Sequence, residues 1–339
     1  MKENFTKKLR LRKDNVERLN QINEIVEEYM EQGQRLTLRQ LYYQLVSRDM
    51  LSNSQKEYKK LGKILVKGRM AGIVDWYAIE DRGRRPQLPY YALNVQDALT
   101  DTIDQYRLDR QSNQKNYIEL WIEKDALSGV MSRMCYKYHV RLMVNKGYSS
   151  ASAMYNAYNR VVNALGNDQN VCILYLGDHD PSGLHMIQDI KERLMEMVIN
   201  SARMQKNYDW INAEESENFD SIARKYRKKE MFWVDGEFCI KKAYAFHAFK
   251  TRFSIVPVAL TMAQIKKYKP PPNPAKIDDP RAHDYIKKFG DVSWEVDALK
   301  PDVLNSLVEK QIIKRIDLDL YNEILRQEDY DKEKLRAIK

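Results

Sequence analysis

The chain alternates between stretches whose apolar residues recur at helical spacing and short, nearly continuous apolar runs. Val16, Leu19, Ile22, Val26 and Tyr29 fall on one face of a helix, and Gly33 follows as its stop. "TLRQ" at 37–40 is a capping box, with Thr37 as N-cap and Gln40 reaching back, so a second helix starts there and runs to about Val46. A further cap at Ser52 or Ser54 opens a third helix, in which Tyr58, Leu61, Leu65 and Met70 face inward. "GIVDWYAI" then reads as a short extended segment. Three helices and an extended piece are the order of a winged helix, whose third helix would enter a DNA major groove. An ordinary lysine-rich solvated helix gives the same pattern.

From about residue 117 the pattern changes. "YIELWIE", "VRLMVN" and "NVCILYLG" read as strands, alternating with helices over "KDALSGVMSRMCYKYH", "SSASAMYNAYNRVVNAL" and "SGLHMIQDIKERLMEMV". Such alternation predicts a mostly parallel α/β sheet. Residues 200–232 are polar and read as a partly helical insertion, "KPPPNP" at 269–274 as a stiff extended connection, and "DVLNSLVEKQIIKRIDLDLYNEIL" as an amphipathic helical close. The expected division is a basic helical, winged-helix domain over 1–112 and an α/β domain over 113–339, with an insertion at about 200–235 and a helical C-terminal extension.

Charge sharpens this picture. The formal net charge of the 339 residues is +9, and residues 1–90 hold 19 Lys and Arg against 12 Asp and Glu, so +7 of the +9 lies there. A polyanion partner, most simply double-stranded DNA, is the expectation. Lys56, Lys59, Lys60, Lys63 and Lys67 on the third helix are its candidate contacts, with Arg69, Arg82, Arg84 and Arg85 as phosphate contacts in loops. No run of 18 or more apolar residues occurs, and Cys135, Cys172 and Cys239 form no CxxC pair. We therefore expect no membrane span, no disulfide framework and a cytoplasmic, nucleoid-associated protein. No GxxxxGKS phosphate loop is present, which disfavours an ATPase within the chain.

The candidate chemistry sits at strand ends, where parallel α/β sheets collect functional groups. Glu123 closes one strand, and Asp178 and Asp180 follow another. In an extended chain 178 and 180 project to one side, and Glu123 meets them if its strand is the neighbour. Three oxygen ligands suit Mg²⁺; a polar strand-to-helix turn is the alternative. His179 should point away from the pair. Lys124 is either a phosphate contact or a solvated lysine, while Trp294, Glu295 and Asp297 read as packing or supporting residues.

These residues carry a family resemblance. A strand-end Glu followed by a strand ending in "DHDPSG" resembles the Toprim domain, in the form found in the topoisomerase VI A subunit and the transesterase that starts meiotic recombination. "LTMAQIKKYKPPPNPAKIDDPRAHDYIKKFG" and "WEVDAL" at 294–299 are similar to that family's C-terminal segments, and the likeness spans roughly 36–310 in ordered patches. It implies a winged helix followed by a Toprim domain, with Mg²⁺ on Glu123, Asp178 and Asp180. It also implies a homodimer in which one subunit's tyrosine works with the other's metal site. "TLRQLYYQL" resembles the nucleophile motif, which implies Tyr43 as nucleophile, with a 5′-phosphotyrosyl product, and Arg39 on the scissile phosphate. On periodicity Tyr42 belongs to the apolar stripe and Tyr43 falls off it, which allows Tyr43 to be exposed; packing is the ordinary reading of a tyrosine pair on a helix, and only the surrounding motif favours a nucleophile. The chain is short ahead of the helices, where larger A subunits engage a separate ATPase subunit, and "KGYSS" lacks the acid that often follows the second Toprim strand. A Toprim nuclease using metal-bound water, or a non-catalytic DNA-binding protein, are the competing readings.

Overall fold

The computed structural model describes residues 2, 4–5, 12–80, 89–212, 248–275 and 279–338. Arg82, Arg84, Arg85, Cys239 and most of the expected insertion lie outside the described residues. Three helices open the chain: α1 (Lys13–Glu31), α2 (Leu38–Ser47) and α3 (Gln55–Met70). Both predicted caps form, since the Thr37 and Gln40 side chains exchange bonds with each other's backbone and Ser54 accepts from Glu57 N–H. Leu19, Ile22, Ile25, Leu41, Leu45, Leu61 and Leu65 make the buried core between these helices. Val16, first of the predicted stripe, is exposed instead.

The extended piece after α3 is not a strand. Residues 71–80 form turns, with isolated bridges from Ala71 to Asn4 and from Ile79 to Leu36. No β-hairpin follows α3 among the described residues. Arg69 is also not in a loop. It ends α3, donates to the Trp76 carbonyl and lies over the Trp76 ring, 4.5 Å from its centroid.

After α4 (Val95–Gln105) comes the α/β part: β1 (Asn116–Ile122), α5 (Ser128–Tyr138), β2 (Arg141–Val144), α6 (Ala151–Gly166), β3 (Asn170–Leu176), α7 (Pro181–Asn212) and β4 (Phe253–Ala259). The four strands are parallel in the order β2–β1–β3–β4. Their side chains alternate between two faces, and both faces are covered, so the central strands read as continuous apolar runs. Ile118, Leu120, Leu174 and Leu176 pack on one side with Val130 and Met131 of α5. Trp121, Ile173 and Tyr175 pack on the other with α6 and α7. The chain closes with α8 (Met262–Tyr268), a short ribbon of β5 (Asn273–Pro274) with β6 (Val292–Ser293) around α9 (Ala282–Phe289), and then α10 (Pro301–Ile313) and α11 (Leu318–Ile338). The helical close is two helices, α10 joining α5 on the first face of the sheet. No helix among the described residues is long and apolar enough to cross a membrane.

The opening helices dock directly on the α/β part. Gln40 donates to the Ala126 carbonyl, Asn53 to the Pro272 carbonyl, and Lys300 pairs with Glu28 at 3.1 Å. Ala298 belongs to the same buried cluster as Tyr42 and Tyr43.

Candidate metal centre

β1 and β3 are neighbours, with Ile122 paired to Leu176, so Glu123 and the "DHD" segment emerge side by side. The Glu123 N–H donates to the Leu176 carbonyl, and its carboxylate accepts from the Asp178 N–H at 2.9 Å. Asp180 caps α7: its Oδ1 accepts from the Gly183 N–H at 2.6 Å, with Pro181 at the first helical position. His179 turns away, as its alternation with the aspartates requires, and is buried. The Tyr285 hydroxyl donates to the His179 carbonyl and lies 2.9 Å from its Nδ1. Burial holds the imidazole pKa down, so the ring is neutral at pH 7.

His179 also makes a reciprocal backbone bridge with Trp294, and this draws 295–297 over the strand ends. The Val296 N–H donates to Asp178 Oδ1 at 2.8 Å. The carboxylates that come closest together differ from the expected ligand set. Among the described residues, the carboxylates whose oxygens lie within 4.8 Å of one another are Asp178, Glu295 and Asp297. Glu123 and Asp180 are not in that set; one oxygen of each accepts from a backbone N–H. They remain close enough for Asp180 to act on Glu123 and for Glu123 to act on Asp178. Glu295 and Asp297, expected to be supporting residues, line the centre.

Lys124 is neither a solvated lysine nor a free phosphate contact. Its Nζ lies 2.8 Å from Asp178 Oδ2 and 2.9 Å from Asp297 Oδ1, and it also bonds Glu295. Burial works against the ammonium, but the three carboxylates outweigh it and raise its pKa. Arg39 completes the network, bonding Glu295 and approaching Asp297 Oδ2 through Nε at 3.4 Å. Asp297 is 1% exposed, and this Oδ2 accepts no hydrogen bond.

The electrostatics divide the carboxylates. Burial, reinforced by Glu123, Asp297 and Glu295 against the pull of Lys124, pushes Asp178 up to about 8. Burial also raises Glu123, with the Asp178 N–H and Lys124 opposing it. Burial works against Glu295 too, but Lys124 and Arg39 hold it down to about 2. Around Lys124 and Arg39 stand five carboxylates, so the centre carries an excess of negative charge in a buried setting. Such a site either keeps a proton or takes a cation. The all-oxygen donor set and the unsatisfied Asp297 Oδ2 fit a hard divalent ion.

Tyr43 is buried, at 5% exposure, rather than exposed. Arg39 lies over its ring, Tyr42 packs edge-on, and residues 296–298 close the helix from the side that the α2 periodicity alone leaves open. Burial, with Glu295 next, raises its pKa; Arg39 opposes. Tyr42 is core as expected, its hydroxyl bonded to Asn53 and Ser54. The five lysines of α3 are exposed to solvent.

The glycine of "DHDPSG" is a packing requirement. A Cβ at Gly183 would stand 2.3 Å from the Asp178 carbonyl oxygen. Gly183→Ala is therefore expected to lower stability by about 1–3 kcal/mol and to weaken divalent-ion binding. Urea unfolding and titration calorimetry with Mn²⁺ check this, and an alanine variant identical to wild type in both would refute it.

No family model matches the chain, and no curated protein matches it.

Proposed function

We propose that the protein is a metal-dependent DNA-cleaving enzyme with a winged helix and a Toprim domain, similar to the topoisomerase VI A subunit. One observation carries the reading: Arg39, one helical turn before Tyr43, pairs with Glu295 and Asp297, so within one chain the tyrosine-bearing helix meets the acidic cluster, where the resemblance implies a centre shared between two subunits. The resemblance of "TLRQLYYQL", "DHDPSG" and "WEVDAL" supports it, because three segments far apart in sequence meet there.

Asp178, Glu295 and Asp297 would hold Mg²⁺, with Glu123 and Asp180 beside them. When bound, the ion supplies positive charge that neutralises the phosphodiester and stabilises the departing 3′ oxygen. Arg39 orients the phosphate through its planar donors. The Tyr43 oxygen attacks phosphorus as the bond to the 3′ oxygen breaks, and the phenolic proton ends on the released 3′ hydroxyl. The lysines of α3 contact the DNA backbone, and a homodimer would make the paired cuts of a double-strand break. A second reading, a Toprim nuclease using water, is favoured by the burial of Tyr43.

Supercoiled plasmid incubated with protein and Mg²⁺, quenched with detergent and run with and without protease separates the two. Protein trapped on 5′ ends by wild type and absent with Tyr43→Phe is the expected result. Free ends made equally by both proteins would replace the transesterase with the nuclease.

A further inference from the structure

The chain's own cations already occupy the acidic centre, and they are not equivalent. Lys124 lies deep, its side chain 15% exposed, and touches all three carboxylates. Arg39 sits at the mouth, its side chain 46% exposed, and touches Glu295 and Asp297 only. The same guanidinium lies 5.7 Å from the centroid of the Tyr43 ring. The backbone beneath it is fixed by the Thr37–Gln40 capping box, so Arg39 can leave by side-chain rotation alone.

We infer that Arg39 and a divalent cation are alternative partners of the Glu295–Asp297 pair, so that ion binding expels Arg39 and uncovers Tyr43. The inference rests on the metal-centre reading above and adds its regulation. Formal charge favours the exchange. Arg39 and the ion are like charges on the same two carboxylates, so each weakens the other's hold there. The half-exposed Arg39 pair is weak, because water screens it, whereas the ion binds to buried oxygens. Asp297 Oδ2, buried and without a hydrogen bond, is the atom that gains most from the substitution. Without the ion the centre is closed, the phenol covered and the arginine engaged. With it, Tyr43 becomes reachable and Arg39 is free to meet a phosphate one helical turn away.

The test is nitration of Tyr43 by tetranitromethane in the full-length protein, read by peptide mass spectrometry with and without Mn²⁺, beside titration calorimetry. Exposed Tyr90 and Tyr91 serve as internal references. In wild type, saturating Mn²⁺ should raise Tyr43 nitration up to about fivefold, the scale of one broken surface ion pair. In Arg39→Ala, nitration should be fast with or without ion, and Mn²⁺ should bind more tightly than to wild type. Arg39→Gln, which keeps the side-chain bulk, should behave as Arg39→Ala does. Ion binding in wild type with no change at Tyr43 would overturn the exchange and leave the metal centre intact. No ion binding to wild type would overturn both.

Discussion

Asp178→Asn is expected to give a protein that no longer binds a divalent ion or cuts DNA, yet unfolds at a higher temperature than wild type. Five carboxylates crowd two cations at the strand ends, and Asp178 is the one that burial and its neighbours most oppose, its pKa pushed up to about 8. Asparagine keeps an oxygen for the Val296 N–H, now 2.8 Å from Oδ1, and spares folding the cost of raising this carboxyl's pKa. Its amide takes the place of the oxygen that now meets Lys124 at 2.8 Å, so the lysine shifts to its other carboxylates. Lys124 keeps Glu295 and Asp297 as partners. The relief is on the order of 1–3 kcal/mol in ion-free buffer, or several degrees in Tm. Cleavage should fall by roughly 10³-fold or more, the worth of several kcal/mol of lost charge stabilisation at the leaving oxygen. Scanning calorimetry in EDTA, Mn²⁺ titration and the plasmid assay read the three quantities together. A variant that melts earlier and still cuts would remove Asp178 from the centre.

Glu328→Ala is expected to be the most destabilising change in the C-terminal helices. Glu328 on α11 is 2% exposed and accepts from Arg110 Nη2 at 2.9 Å, Arg110 Nε at 3.2 Å, Lys332 at 3.1 Å and the Leu108 N–H at 3.2 Å. It ties the last helix to the segment leading into β1, at the edge where Tyr321 bonds the Lys137 carbonyl. Truncation leaves Arg110, itself 9% exposed, charged and without its carboxylate. Breaking a buried pair in this way costs about 3–5 kcal/mol, roughly 4–7 °C in Tm for a chain of this length. Arg110→Met combined with Glu328→Leu should recover most of the loss, since it buries no charge. The pH dependence has a definite sign. Burial works against the carboxylate, but Arg110 and Lys332 hold its pKa below the ordinary glutamate value. Its stabilisation is therefore complete above the unfolded pKa near 4.5 and is lost as pH falls through the folded value. A thermal midpoint for Glu328→Ala within 2 °C of wild type at pH 7, on the scale of about 1 kcal/mol, would refute the assignment.

The sheet was legible because its strands are buried on both faces: the apolar runs ending at Ile122 and Leu176 admit no other element, and short helices between them force parallel order. The caps at Thr37 and Ser54 were legible for a local reason, since each needs only four consecutive residues. What sequence could not rank was the choice of carboxylate. Glu123 and Asp180 sit at the right strand ends, yet one oxygen of each accepts from a backbone N–H, and neither joins the tightest cluster. Glu295 and Asp297 reach the centre through the backbone bridge of His179 to Trp294, a contact no periodicity announces. Their E-x-D spacing, the counterpart of D-x-D, was the available signal. Tyr43 misled for a related reason. Helical periodicity reports the face toward a helix's own bundle, and α2 has a second neighbour in residues 296–298. Residues 71–80 look extended because they are apolar, but they turn, with Trp76 packed under Arg69 instead of in a ladder.

Glu295 lies 256 residues beyond its partner Arg39. A chain still being synthesised holds Tyr43 and Arg39 on a finished helix long before any carboxylate of 295–297 exists. Nothing in the first half of the molecule can assemble the centre, and a nick that releases the segment after α9 would dismantle it. Whatever the centre does is thereby made conditional on a completed fold, a safeguard written into the order of the chain and independent of any inhibitor.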